Sequence, residues 1–445
     1  MSTITDDYVQ KHPTSLEYYG EAREIFPAGV THDTRYVTPF PLYITHASGP
    51  LKWDVDGNEY VDYVSGHGAL ILGHSHPDIQ AAVTKQISRG THLGSNTEEE
   101  LRWARAIKRL MPSVEKLRFL SSGTEATLMA FRLARAYTGK DKIVKFQDHF
   151  HGWNDYGIAG SVHPTAGVPR AVQDTMIILP IGDIAQVEGV LSRDNDIAAV
   201  ILEPTGAHWG QQPFKIPEFL QELRHVTSKY GVLLIFDEVV TGFRVSPGGA
   251  QERFGVRPDL TAMAKIVAGG LPGGAVGGSG EIVDMIAFRG DPDWDRKHRV
   301  SHPGTFNANP LSAVAGATCL ELIASQPINQ RADSMASRLK DGLNEVLGKM
   351  EVPGHSHGIS SLVHVTLGKD CDCDREVCTM DHKQIKDTMR PAVTQALKCA
   401  MLNAGVDIMG GRGFIVSATH SEQEIDLTVG AFEEALKAMR SDGII

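Results

Sequence analysis

The chain has 445 residues, 42% of them hydrophobic and 22% charged, with a formal net charge of −11. That length exceeds what one simple core fills and predicts two domains. The acidic balance argues against nucleic acid and anionic membranes as partners, since both reward lysine and arginine.

Residues 1–28 read as a loose polar start and a helix over 15–25 that stops before Pro27-Ala28-Gly29. The start has no apolar signal core and is not an Arg-rich transit peptide. LKWDVDGNEYVDY, residues 51–63, alternates apolar positions around Asp56-Gly57 and predicts a β-hairpin. Helices follow over 77–88 and 97–111, the second with Thr97 and Glu100 spaced as a capping box.

From about residue 116 short apolar runs alternate with helices. The strands expected are 117–120, 142–146, 176–179, 198–202, 233–236 and 275–278, with helices over 124–138, 184–192, 216–229 and 248–254. This alternation predicts a mostly parallel, doubly wound α/β sheet. A helix over 309–324 is expected to lead out of this domain. Residues 326–445 then read as an α+β domain: helix 332–350, strand 361–366, helix 383–403, strand 413–418 and helix 421–440. The division expected is therefore 1–75, 76–325 and 326–445, with the first segment joining the last in a small domain.

No run approaches ~18 uninterrupted apolar residues, so no spanning helix is predicted. Five cysteines in so long a chain make no disulfide framework, and the cytoplasm is the expected compartment. Cys371, Cys373, Cys378 and His382 crowd into CDCDREVCTMDH. The spacing matches no standard zinc motif, so the segment reads as an acidic surface loop and no metal is expected.

The chemistry gathers in six places. The apolar run 232–236 ends on Asp237, at the carboxyl end of a strand where open α/β sheets bind ligands. A carboxylate there can keep a pyridine nitrogen protonated, although an Asp capping the next turn is the plainer reading. Val239 would share its side if the strand continued and could pack on a ring. Lys265 stands among Ala262, Met263, Ala264, Ile266 and Val267. Burial there favours a neutral, nucleophilic amine. Ser122-Gly123-Thr124 joins a strand to a helix, and amides and hydroxyls at such a helix start suit a phosphate monoester. Phe150, in FQDHFHGWND, could cover the open face of a flat cofactor, with His151 and Gly152 shaping the turn. Glu203 ends the run VILEP, where it could orient Asp237, and Thr305 lies in the loop HPGTFNANP. A carboxylate for a ring nitrogen, an amine for an aldehyde and an anion site together fit pyridoxal 5'-phosphate.

With these pieces the chain resembles the class III (subgroup II) aminotransferases, a fold-type I family of pyridoxal-phosphate enzymes. It is most similar to the branch of glutamate-1-semialdehyde 2,1-aminomutase and the β-amino-acid aminotransferases. The shared stretches include WDVDGNEYVDY, LGHSHP, FLSSGTEATLMAFRLARAYTGKDKIVKF, HFHGWND, LIFDEVVTGFR, GGAQERFGVRPDLTAMAKIVAGGLPGGAVGG and GTFNANPLSAVAG. The resemblance implies that Lys265 bonds the cofactor aldehyde and moves the proton. It also implies that Asp237 pairs with the ring nitrogen, that Val239 and Phe150 sandwich the ring, and that Gly123 and Thr124 hold the phosphate. Thr305 would reach the phosphate of a neighbouring subunit in a homodimer with shared active sites.

Arg35 falls where the aminomutase has a carboxylate-binding arginine, and Arg412 replaces its late glutamate. Two guanidinium groups suit an enzyme that binds two acids in turn, an amino donor and a keto acid such as 2-oxoglutarate or pyruvate. The plainer reading of Arg412 is a surface arginine after a glycine-rich turn. The expectation is an aminotransferase with a carboxylate-bearing donor, a β-amino acid favoured. The alternatives are the aminomutase itself, an amino-acid racemase and a non-catalytic binding protein on the same fold.

Overall fold

In the computed structural model, which describes residues 3–373 and 375–445, Pro77–Pro327 form one unit. The residues before Pro77 form a second together with those from Ile328 onward. The second unit opens with two helices, Ile4–Lys11 and Pro13–Ile25. The start is therefore helical rather than loose: Thr3 caps the first helix in a full capping box with Asp6. Strand β1 (Ile44–Ser48) pairs antiparallel with β2 (Leu51–Asp54), and β2 with β3 (Glu59–Asp62). The hairpin turn has Gly57 at φ +86°, and the Asp54 carboxylate accepts the amides of Asp56 and Asn58 at 3.0 and 2.8 Å.

The unit Pro77–Pro327 is built on a seven-stranded sheet. Its strands are β4 (Lys116–Leu120), β5 (Lys142–Phe146), β6 (Met176–Leu179), β7 (Ile197–Leu202), β8 (Leu233–Asp237), β9 (Leu260–Ala264) and β10 (Gly274–Gly278). The order is β4-β10-β9-β8-β7-β5-β6, and only β10 runs against the rest. Every residue of β7, β9 and β10 is buried, as expected of strands covered on both faces. Sequence patterning gives no strand at β9. Its Leu-Thr-Ala-Met-Ala run has little intrinsic preference for strand, and it is extended because β8 and β10 flank it. Helices Gly123–Thr138, Ile184–Leu191, Glu218–Lys229 and Gly249–Phe254 lie close to where the pattern puts them. Helix Pro310–Ser325 does not leave this unit; it packs on helices Pro77–Ile87 and Glu98–Leu110.

In the other unit helix Ile328–Lys349 leads to β11 (Gly354–His357) and β12 (Leu362–Leu367). One helix was expected over 383–403, but two are present, His382–Thr388 and Pro391–Asn403. Pro391 lacks an amide to donate backwards and starts the second helix instead. Then come β13 (Val406–Asp407), β14 (Gly413–Ile415) and helix Glu422–Ser441. β13 joins β3 in parallel, Val406 beside Val61, while β11, β12 and β14 form an antiparallel sheet. At the β2-β3-β13 junction Lys52 meets Asp62 at 2.8 Å and also bonds Asp407. Burial pushes the Asp62 carboxyl up, but Lys52 and His74 hold it well below its ordinary range.

Candidate active site

Because β4, β5, β7, β8 and β9 run the same way, their carboxyl ends share one edge of the sheet, and each delivers chemistry there. β8 ends on Asp237, whose carboxylate accepts from His151 Nδ1 at 2.7 Å and from the Val239 amide at 3.1 Å. His151 comes from the loop after β5. It is fully buried, and its Nε2 has no partner among the described residues. Next to Asp237, Glu238 turns the other way: it accepts the Thr241 hydroxyl and the amides of Ala250 and Gln251. Glu238 therefore braces the following helix, and Asp237 alone is left for the site.

β7 ends at Leu202, and Glu203 follows. Glu203 accepts the amides of Phe150, Trp209 and His208 at 2.9, 2.9 and 3.3 Å, so it fixes the Phe150 loop. Phe150 is half-buried, its ring edge-on to His163 at 4.9 Å. Val239 lies past the end of β8 rather than on a continuing strand. It sits against the β4 turn: a Cβ built on Gly123 would meet its two methyls at 3.0 and 3.1 Å.

At that turn Ser122 caps helix Gly123–Thr138 by accepting the Glu125 amide, which leaves the first-turn amides of Gly123 and Thr124 without an intrahelical acceptor. Gly152, at φ +89°, presses on the same turn; a Cβ there would lie 2.6 Å from Thr124 Oγ1. No side chain fits at either glycine, so the approach to the helix start stays open to a ligand.

β9 delivers Lys265, at φ +54°, an unusual conformation for a residue with a side chain. The turn Lys265–Ala268 is clamped. Trp103 Nε1 donates to Val267 O at 2.7 Å, and a Cβ on Gly269 would lie 2.5 Å from Ala315 O. Lys265 is half-buried.

The electrostatics follow from dryness. Burial pushes Asp237 up to about 7, against the opposing Val239 amide, Lys265 and Lys145. Burial and the charge of Asp237 push Glu203 up to about 7. Burial pulls Lys265 down, with Asp237 and Glu203 opposing and Arg244 reinforcing. It also pulls Lys145 down to about 8 and the His151 imidazole well below its ordinary value, with Lys145 adding to the effect. The acids resist negative charge and the amines resist positive charge. A flat group bringing a protonated ring nitrogen to Asp237, a carbonyl to Lys265 and an anion to the Ser122–Thr124 turn would relieve all three. The residues present fit pyridoxal phosphate.

Thr305 is exposed, its carbonyl accepting from His92 Nε2 at 2.7 Å. No bond among the described residues ties it to the cluster around Asp237. Arg35 and Arg412 belong to the other unit. Arg35 is exposed, Nη1 donating to Thr31 Oγ1 at 2.8 Å. Arg412 is buried, not a surface arginine, and its Nε and Nη2 have no acceptor among the described residues. Burial lowers its guanidinium to about 10, with Cys378 opposing. His151 and Lys145 escape sequence reasoning. His151 looks like a turn residue in HFHGWND, whereas a lysine inside the apolar run KIVKF is a signal that could have been used.

The Aminotransferase class-III family model matches residues 33–384. Glutamate-1-semialdehyde 2,1-aminomutase 2 of Brevibacillus brevis is 37% identical over 437 residues, covering 95% of this chain and 98% of that protein. An omega-transaminase from Sphaerobacter thermophilus is similar in structure, with a TM-score of 0.87 and 34% identity over 97% of this chain and 99% of that one. A beta-phenylalanine aminotransferase from Variovorax paradoxus gives a TM-score of 0.83 and 29% identity, covering 98% and 97%. The chain belongs to the class-III aminotransferases, enzymes that work with pyridoxal 5'-phosphate.

Proposed function

We propose that this enzyme moves an amino group from a carboxylate-bearing donor, a β-amino acid favoured, to a keto acid such as 2-oxoglutarate or pyruvate. The observation that carries the reading is Arg412, a buried guanidinium with two nitrogens lacking an acceptor. A substrate carboxylate is the group that suits it. Arg35, exposed, would serve the second acid.

Pyridoxal phosphate, when bound, supplies an aldehyde that holds the amino group and a ring that withdraws charge from the substrate carbon. The chain's own residues do the rest. Asp237 would keep a bound ring nitrogen protonated, and His151 Nδ1–H holds the carboxylate in place. The Lys265 amine, made less basic by burial, is the group that would take the proton from the substrate carbon and return it on the cofactor side. Ser122, Gly123 and Thr124 would hold the phosphate, Val239 and Phe150 would flank the ring, and Glu203 anchors Phe150. Thr305, exposed in the single chain, would serve the phosphate site of a second copy in a homodimer.

A second reading is favoured by the curated relatives: the Brevibacillus brevis protein carries an aminomutase name. An aminomutase needs no keto acid. Supplying glutamate 1-semialdehyde without an acceptor, and separately a panel of β- and α-amino donors with 2-oxoglutarate or pyruvate, separates the two. Sustained turnover of the semialdehyde alone refutes the transaminase reading. In the transaminase reading, Arg412→Ala raises KM for one acid by roughly 30-fold or more, the scale of losing a buried charged partner.

A further inference from the structure

The cysteine-rich segment acquires a partner that its sequence does not reveal. His355, on β11, points its Nε2 at Cys378 Sγ, 3.1 Å away. Cys378 Sγ is in turn 3.5 Å from Cys371 Sγ. The three donor atoms all lie within 4.8 Å of one another, and the Cys371 thiol also bonds the Cys373 side chain. His382, the histidine suggested by sequence proximity, instead starts helix His382–Thr388 and is not among these three.

We propose that Cys371, Cys373 and Cys378 with His355 bind a zinc ion in a closed, structural site. The separations are those of ligands around one ion. With Zn–S of about 2.3 Å and Zn–N of about 2.0 Å, tetrahedral geometry puts sulfurs about 3.7 Å apart and sulfur and nitrogen about 3.5 Å apart. The Cys371–Cys378 separation of 3.5 Å and the His355–Cys378 separation of 3.1 Å already stand close to those spacings. Cys373, next but one to Cys371 and interacting with its thiol, would complete the set. Three sulfurs and one nitrogen in tetrahedral array select zinc over calcium or magnesium, which prefer oxygen.

The surroundings agree. His355 and Cys378 are buried, while Cys371 and Cys373 are half-buried, so the ion would sit beneath the loop. His355 is held rigidly by the β11–β12 ladder, beside Thr366. The loop's own apolar cluster is small: Cys378, Met380 and Ile385, with Cys371 and Met389 against them. That is little burial with which to order a polar, acidic segment, and a metal would supply the missing constraint. Each ligating thiol loses its proton. Three thiolates around a divalent cation leave the site net negative, and Cys378 already acts electrostatically on the guanidinium of Arg412. The site would then position Arg412 as well as fold the loop.

The test uses the untagged holoenzyme, purified under reducing conditions without chelator and dialysed. Elemental analysis should find one zinc per chain. Titration with an organomercurial should release it in step with thiol modification, read with a metallochromic dye. Cobalt exchanged into the site should give tetrahedral d–d bands and thiolate charge transfer. Cys371→Ser and Cys378→Ser should lower zinc to background, whereas His382→Ala should keep it all. The proposal is overturned by zinc-free protein that stays so after zinc loading, by an octahedral cobalt spectrum, or by zinc retained in a Cys371→Ser/Cys378→Ser double variant. A Cys371–Cys378 disulfide in freshly reduced and purified protein also overturns it. If the serine variants fail to fold, mercurial release from the unmodified enzyme still decides.

Discussion

Removing the His151 ring tests how Asp237 is kept ready. In His151→Ala the Asp237 carboxylate loses a buried 2.7 Å hydrogen bond. A hydrogen bond to a charged group contributes about 1.5–3 kcal/mol, and one pKa unit corresponds to about 1.4 kcal/mol. Asp237, already pushed up to about 7 by burial, should therefore rise by a further ~1–2 units. A carboxyl with a raised pKa is ionised only at higher pH, so the acid side of the pH–rate profile should move upward by that amount. At neutral pH the ionised fraction of Asp237, and with it the donor half-reaction, should fall by roughly 5- to 50-fold and recover as the pH rises. The assay is single-turnover absorbance of the cofactor with excess donor, run from mildly acidic to mildly alkaline pH. His151→Asn, which can still present an N–H near the Nδ1 position, should restore part of the loss. An unchanged acid side in His151→Ala, or Ala and Asn variants impaired alike with no pH shift, would refute the assignment and leave His151 a packing residue.

Other perturbations address different links. Gly152→Ala would force a Cβ to within 2.6 Å of Thr124 Oγ1 at φ +89°; at ~1–3 kcal/mol of strain, cofactor affinity by fluorescence titration should weaken about tenfold or more, and unchanged affinity would count against the phosphate turn. Lys265→Ala should abolish turnover, and borohydride should no longer fix cofactor to the protein; covalent trapping in that variant would move the reactive amine elsewhere. Lys52→Met should lower stability by about 3–5 kcal/mol in chemical denaturation, because Asp62 loses its buried cation and Asp407 keeps only Lys398. The sign with pH is fixed: carboxyls held below their ordinary range stabilise above about pH 4 and lose that contribution as pH falls. The gap between Lys52→Met and the parent should therefore narrow in acid, and a gap that widens would disprove the ion-pair account.

Apart from β9, whose Leu-Thr-Ala-Met-Ala run has little strand preference, the parallel strands were legible because burial on both faces writes them as continuous apolar runs, as in IAAVIL of β7. The strands that escaped have no such signature. β1 is mostly exposed, β11 is Gly-His-Ser-His, and β13 is two residues long. At the site, Asp237, Glu203 and Lys265 were visible because each follows a run or sits in one, so position along the strand gave direction. His151 and His355 were not, since their meaning comes from residues 86 and 23 positions away. No local pattern records such a pairing. Arg412 was found by its departure from a related pattern, but only the fold shows that it is buried.

The β3–β13 pairing sets a timetable for making the protein. Ser65, just past β3, bonds the Ile415 carbonyl 350 residues further along. At 5–20 residues per second a ribosome needs on the order of 20–70 s to span that gap. Throughout that interval Pro77–Pro327 can emerge and close its own sheet, while β3 waits with one edge unpaired. An open strand edge is a template for pairing with other chains. Lys52 and Asp62, charged and still wet at that stage, would guard it during the wait. The same two residues that stabilise the finished junction would then also decide how much nascent chain survives to make it, so Lys52→Met should reduce soluble yield more than its loss of equilibrium stability alone accounts for.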